Sequence, residues 1–213
     1  MGEDIRPLGS LVMQKVESNW FLKKLESNVF KRCPYITASK KNANKSFTYD
    51  TLLRDGMIYP DPIVYSKLYF SEKVREKPGD GKEIPNELVA VYCLGENIHG
   101  YSGLVHGGAI STIFDDMLLK CCLPLVHGDI PIAVTRRLNI TYNKPVPVES
   151  HIVIKTYVVK ATHRRYIIKG TLELLSDQDK ENPPVYAEAL GDFIEPGKKA
   201  SGHLKLHKLH SKL

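Results

Sequence analysis

The residues best placed to do chemistry lie in one stretch: His106, the pair Gly107-Gly108, and Asp115 with its neighbour Asp116. Two glycines at the start of a helix leave backbone N–H groups with no side chain in the way, and the first N–H groups of any helix lack an intrahelical acceptor. The positive end of the helix dipole adds to them, so the turn suits an anionic oxygen. A carboxylate further along can take a proton from water, or attack a carbonyl carbon itself. Together these are the needs of acyl-bond cleavage: an activated nucleophile and a place for the oxyanion. Gly108 and Asp115 are seven helical steps apart, about 10 Å at roughly 1.5 Å each. One carbonyl carbon cannot sit within about 3 Å of both. Two antiparallel copies of the helix would solve this, with Gly108 of one facing Asp115 of the other, so the spacing predicts two active sites on a two-fold interface.

The helix that must carry these groups is legible. Ile110, Ile113, Phe114, Met117, Leu118 and Cys121 recur at i, i+3, i+4 spacing and predict one broad apolar stripe, ending near Pro124. A carboxylate inside such a helix has to be paired, hydrogen-bonded or used. Asp115 and Asp116 point about 100° apart, so only one faces a substrate. Before the helix, β-rich runs cover 63–70 and 88–94, joined across a charged Gly/Pro segment from Glu72 to Asn86. After it, strands are predicted at about 132–142, 151–160, 165–175 and 185–194, with a polar loop from Asp177 to Pro184. In the first of these, Val134, Leu138, Ile140 and Tyr142 alternate against Thr135, Arg137, Asn139 and Thr141, which predicts a half-buried antiparallel strand. Nearer the N-terminus, helical spacing from Ser10, a candidate N-cap, to about Phe30 predicts one helix, stopped at Cys33-Pro34. A second short one is predicted over Tyr49 to Arg54, ended by Asp55-Gly56. The expected organisation is a helical extension (1–62), an α+β domain in which a curved antiparallel sheet wraps one long helix (63–196), and a basic tail (197–213).

Composition narrows the classes. The 213 residues can bury a proper core, and no apolar run approaches the roughly 20 residues of a membrane span. The net charge of +6 owes much to the last 16 residues, which hold five Lys and three His without an acid, so it is not read as a nucleic-acid footprint. Cys33, Cys93, Cys121 and Cys122 lack zinc-ligand spacing and read as reduced thiols of an intracellular protein. The N-terminus shows no secretory pattern. The sequence finishes Ser211-Lys212-Leu213, the peroxisomal address, which predicts import through the receptor that reads it. Cytoplasmic and mitochondrial locations are the alternatives.

The string His106-Gly107-Gly108-Ala109-Ile110 followed by Asp115, with Leu138-Asn139-Ile140-Thr141-Tyr142 and Lys144-Pro145 further on, resembles the hotdog-fold acyl-CoA thioesterases. The nearest branch in pattern holds the phenylacetate-pathway and mitochondrial long-chain enzymes. The likeness covers roughly residues 63–196. It implies a hotdog fold, homodimers or dimers of dimers, and hydrolysis of a fatty or other acyl-CoA to free acid and coenzyme A, with no metal and no cofactor beyond the coenzyme A of the substrate.

The resemblance also implies roles. Asp115, rather than Asp116, becomes the base or nucleophile; Gly107 and Gly108 supply the oxyanion amides; His106 orients the glycine turn or helps hold the thioester oxygen. Thr135 matches a threonine beside the attacking water. Phosphates of coenzyme A, a polyanion, would meet Thr141, Asn143 and Lys144 at one strand end and Arg164 and Arg165 at a turn, where His163 replaces the family's usual glycine. The acyl chain would lie among Ile113, Phe114 and Met117, with Asn97 and His99 beside it. A non-catalytic acyl-CoA-binding protein of the same fold is the alternative, although binding an anionic ligand gives no use for Asp115.

Overall fold

The computed structural model describes residues 14, 16–27, 30–33, 47–67, 86–126, 132–162, 164–178 and 182–197. The central helix spans Gly107–Cys122 and tightens into a 3-10 turn at Leu123–Leu125, where Pro124 cannot continue an α-helix. Its apolar stripe is buried as the periodicity predicts, from Ile110 through Ile113, Phe114, Met117 and Leu118 to Cys121.

Seven strands wrap this helix: β1 (Lys31–Cys33), β2 (Ile63–Ser66), β3 (Glu87–Cys93), β6 (Val134–Tyr142), β7 (His151–Ala161), β8 (Arg165–Leu174) and β9 (Val185–Ile194). A separate hairpin, β4 (His99–Tyr101) and β5 (Leu104–Val105), leads into the helix. The order across the sheet is β1-β2-β3-β7-β8-β9-β6, with every pair antiparallel. This is the hotdog fold. The strand that follows the helix, β6, closes one edge of the sheet and pairs only with β9 among the described strands.

The core lies between helix and sheet. Leu88, Ala90 and Tyr92 of β3, Ile152 and Ile154 of β7, Ile168 and Leu172 of β8, and Ala187, Ala189 and Phe193 of β9 all point at the helix. The other face of the sheet is covered too, by a second apolar cluster in which Val16, Leu22 and Leu25 lie on Ile63, Tyr65, Val89, Val91 and Val153. Burial on both faces explains why β3 reads as an unbroken apolar run and not as an alternating one.

The N-terminal region differs from expectation in two ways. Helical backbone at Val16 and Glu17 breaks at Ser18, and a new helix, Trp20–Glu26, starts after Asn19, whose side chain accepts from the Phe21 N–H at 2.9 Å. A capping side chain has won over helical spacing. Lys31–Cys33 then forms a strand paired with β2, so residues before 63 contribute to the sheet. The candidate cap Ser10 and most of the Glu72–Asn86 loop lie outside the described residues.

Close approach of helix to sheet depends on glycine. A Cβ at Gly170 would lie 3.1 Å from Leu118 and 3.2 Å from Phe114, and one at Gly191 would lie 2.5 Å from the Phe193 ring and 3.2 Å from Leu118. Phe193 is fully buried and has nowhere to move. Gly191→Ala is therefore expected to lower stability by about 1–3 kcal/mol, as overpacking of a tight core does; urea unfolding reads this directly, and an unchanged midpoint would show that the core gives way freely.

Candidate active site

The chemistry collects along the edge where the central helix meets β6. His106 is the helix N-cap: its backbone is extended, and its Nδ1 accepts the Gly108 N–H at 2.8 Å. The His106 N–H donates to the Ile98 carbonyl at 2.9 Å, which ties the turn to the segment before the hairpin. Gly108 therefore does not present an unpaired amide, contrary to expectation, because the imidazole caps it. The Gly107 N–H is different: it makes no hydrogen bond among the described residues and stands at the positive end of the helix.

Two hydroxyls that the sequence reading passed over surround this turn. The Tyr142 hydroxyl donates to the Gly107 carbonyl at 2.9 Å and lies 2.7 Å from the Ser111 hydroxyl, which itself donates to Gly107. A Cβ at Gly107 would sit 3.6 Å from the Tyr142 ring. Tyr142 carried a signal in the sequence, as the tyrosine of the motif, but nothing in one dimension links it to a helix start 35 residues earlier.

At the other end of the same edge, Thr135 donates its hydroxyl to Asp115 Oδ1 at 2.8 Å. The resemblance implies a threonine beside the attacking water and does not specify this hydrogen bond. Simple alternation puts Thr135 on the face of Arg137, pointing away from the core. A β-bulge between Thr135 and Arg137 inserts one residue, so Thr135 pairs with buried Phe193 and turns toward the helix together with Leu138, Ile140 and Tyr142. Val134 is left exposed.

Burial holds the Asp115 carboxyl above the usual carboxylate range; the Thr135 hydrogen bond works against this, and the neighbouring Asp116 adds to it. Asp116 turns away, as the 100° step predicts, and pairs with Lys120 one turn on.

The other expected residues fall in three places. Ile113, Phe114 and Met117, the expected acyl-chain neighbours, are fully buried in the helix–sheet core, where a Cβ at Gly170 would lie 3.2 Å from Phe114. Thr141, Asn143 and Lys144 lie at the Gly107 end of β6, with Lys144 Nζ 5.8 Å from the Tyr186 ring centre and the Asn143 N–H on the Tyr186 carbonyl. Arg164 and Arg165 lie at the opposite end, since Arg165 pairs with Ile194 and Ile194 with Val134. That is eight residues from Tyr142, about 26 Å along a strand. Arg165 also faces outward, where it and Arg136 both bind Asp192, so one chain does not bring it to Asp115. Asn97 lies beside Gly56, its N–H on the Gly56 carbonyl, and His99 Nδ1 lies 2.9 Å from the Glu96 carbonyl. Ser211, Lys212 and Leu213 lie outside the described residues.

The raised pKa of Asp115 has a signed consequence for stability. The folded state binds this proton more tightly than the unfolded chain does, so stability falls as pH rises from the ordinary carboxylate value through the folded one. Asp115→Asn removes the ionisation. The variant is expected to melt above the parent at pH 7, and the gap should close toward pH 3; a lower melting temperature at pH 7 would show that Asp115 is a net stabilising group.

With this geometry in view, likeness to known proteins bears on identity. Residues 102–179 match the model of the thioesterase superfamily. The chain is 28% identical over 180 residues to the mouse acyl-coenzyme A thioesterase THEM4, an alignment spanning 82% of this chain and 73% of that protein. It is 32% identical over 143 residues to an uncharacterised Schizosaccharomyces pombe protein, spanning 67% of this chain and 74% of the other. An uncharacterised mitochondrial protein of Candida albicans is 33% identical over 136 residues, 64% of this chain, which spans about half (53%) of that longer relative. The matched region holds the glycine turn, Asp115, the bulged strand and the hydroxyls that tie strand to helix. The chain belongs to the thioesterase superfamily and is a hotdog-fold thioester hydrolase.

Proposed function

We propose that this protein hydrolyses acyl-CoA thioesters to the free acid and coenzyme A, at two equivalent sites shared between two copies of the chain. The observation that carries this reading is the separation of two half-sites along one edge: the Gly107 amide beside Tyr142, and Asp115 beside Thr135. They are eight helical steps apart, about 12 Å, too far to serve one carbonyl within a single chain.

The free edge of β6 supports the pairing. A second copy added antiparallel along this edge, with the two-fold axis near Leu138, sets Tyr142 of one copy against Val134 of the other. Each Gly107 turn then approaches the other copy's Asp115. The exposed Val134 and Tyr142 and the row of β6 backbone groups that no described strand pairs favour such a contact.

In this arrangement the Gly107 N–H and the helix dipole hold the developing oxyanion. Asp115 takes a proton from water as the water oxygen bonds to the thioester carbon. The C–S bond breaks, and the leaving thiolate takes that proton back. Thr135 occupies one carboxylate oxygen and leaves the other for the water. The raised pKa makes Asp115 a stronger base than an ordinary aspartate. Lys144 of one copy and Arg164 of the other come to the same side of the site, where a polyanionic coenzyme A can meet both.

The relatives support the substrate class, since THEM4 is named an acyl-coenzyme A thioesterase. Names also bear on location: the Candida albicans relative is called mitochondrial, which supports a mitochondrial site over the peroxisomal one that Ser211-Lys212-Leu213 predicts. Imaging the full chain beside a variant lacking Leu213 decides between them.

Thiol release from a panel of acyl-CoAs tests the activity. Asp115→Asn is expected to lower kcat about 10²–10⁴-fold, the range of a positioned acid or base; an active wild type with an equally active variant would remove Asp115 from the mechanism. Co-expressing Asp115→Asn with Gly107→Val, each inactive alone, should give hybrid dimers with one intact site. Hybrids without activity would overturn the shared site. A single turnover in ¹⁸O-water should label only the released acid, and label in Asp115 would replace the base with a nucleophile.

A further inference from the structure

The Tyr142 hydroxyl is tied to the Gly107 turn, and the hydrolytic steps give it no task. Two consecutive glycines make a loose helix start, because glycine has the freest backbone of any residue and favours helix poorly. The direction of the Gly107 N–H is therefore set by whatever holds the peptides on either side of it. On one side, the His106 N–H donates to the Ile98 carbonyl at 2.9 Å. On the other, the peptide joining Gly107 to Gly108 is held at both of its polar atoms. Its N–H donates to His106 Nδ1 at 2.8 Å, and its carbonyl accepts the Tyr142 hydroxyl at 2.9 Å.

We propose that Tyr142, braced by Ser111, is a positioning residue that aims the Gly107 N–H at the oxyanion; this rests on the proposed role of that amide. His106 and Ser111 belong to the turn and its own helix, whereas Tyr142 comes from β6 and anchors the turn to the sheet. The Ser111 hydroxyl donates to the same carbonyl at 2.9 Å and lies 2.7 Å from the Tyr142 hydroxyl. Two hydroxyl hydrogens cannot serve all three contacts at once, yet every allowed arrangement leaves at least one of them on the Gly107 carbonyl. The Tyr142 ring also closes one side of the turn, since a Cβ at Gly107 would lie 3.6 Å from it. Tyr142 is 49% exposed, so water can replace its hydroxyl at the carbonyl and the bond contributes little net stability. Water cannot hold that carbonyl in one direction. A hydroxyl anchored in the sheet can, and a donor fixed in advance is what stabilises an oxyanion most.

Tyr142→Phe keeps the ring and removes the hydroxyl. With the fastest acyl-CoA of the panel, kcat is expected to fall about tenfold, the upper end for one neutral hydrogen bond, while KM changes less than about twofold. Kd for the thioether analogue of that substrate, which has no carbonyl oxygen to place, should stay at the wild-type value. Ser111→Ala, a change toward a better helix former, should lower kcat about threefold in the same manner, and it carries the test if Tyr142→Phe fails to fold. An unchanged kcat, or a loss shared equally by kcat and thioether binding, would overturn the inference. The ¹⁵N order parameter of the Gly107 amide reads the aiming without turnover: about 0.85 in wild type and below about 0.6 in Tyr142→Phe. An equally rigid amide in the variant would overturn it even where kcat falls. If wild type cleaves no thioester while the variant's amide loosens, the hydrolytic reading falls and the positioning by Tyr142 stands. An active wild type whose variant keeps both its kcat and a rigid amide gives the reverse.

Discussion

A carboxylate must be kept ionisable on a helix whose other inward positions are closed by packing. Everything around Asp115 answers that constraint. The stripe from Ile110 to Cys121 presses the helix onto the sheet, and that pressure would desolvate any residue caught inside it. Asp115 escapes because it lies at the margin of the stripe, where the sheet ends at β6 and a threonine replaces an apolar neighbour. It is half-buried: dry enough to be a stronger base than a surface aspartate, and still within reach of a hydrogen-bond donor. The bulge in β6 is part of the same solution. It reverses the phase of one strand end and delivers Thr135 to the helix side without disturbing the pairing of the remaining residues with β9.

The second constraint is distance. The helix dipole and the free Gly107 amide are fixed to the helix start, whereas packing places Asp115 two turns further on. A longer loop or a second helix could have closed that gap within one chain. This chain instead leaves β6 on the rim of the sheet, with a hydroxyl clamp at each end: Tyr142 to the Gly107 carbonyl and Thr135 to Asp115. The strand thereby spans both half-sites, and in the proposed dimer its edge, unpaired among the described strands, meets another copy. In that dimer, catalysis and assembly are two uses of one edge.

Much of this was legible from residue order. The central helix, the strands after it and the packing of its apolar face follow from period 3.6 and period 2, since burial on one side leaves that imprint directly. The glycine turn and Asp115 stand out because few structural needs place them at that spacing. The errors have a common cause. Asn19 breaks the first helix through a side-chain cap that competes with helical spacing. Ile113, Phe114 and Met117 look alike whether they line a channel or fill a core, and only the packing of the sheet against the helix shows them buried. Arg165 reads as a free cation until Asp192 and the outward face of β8 are known.

What the sequence determined by itself is the set of local choices: where the helix starts and stops, which strands alternate, and which side chains carry an acid or a naked amide. These depend on neighbours within a few residues. What tertiary structure decided is which of those groups remain available. His106 takes the Gly108 amide and leaves Gly107. A single inserted residue turns Thr135 inward. Lys120, although charged, is buried against Asp116. Each outcome hangs on a hydrogen bond or a change of facing, a quantity of angstroms that periodicity along the chain does not encode.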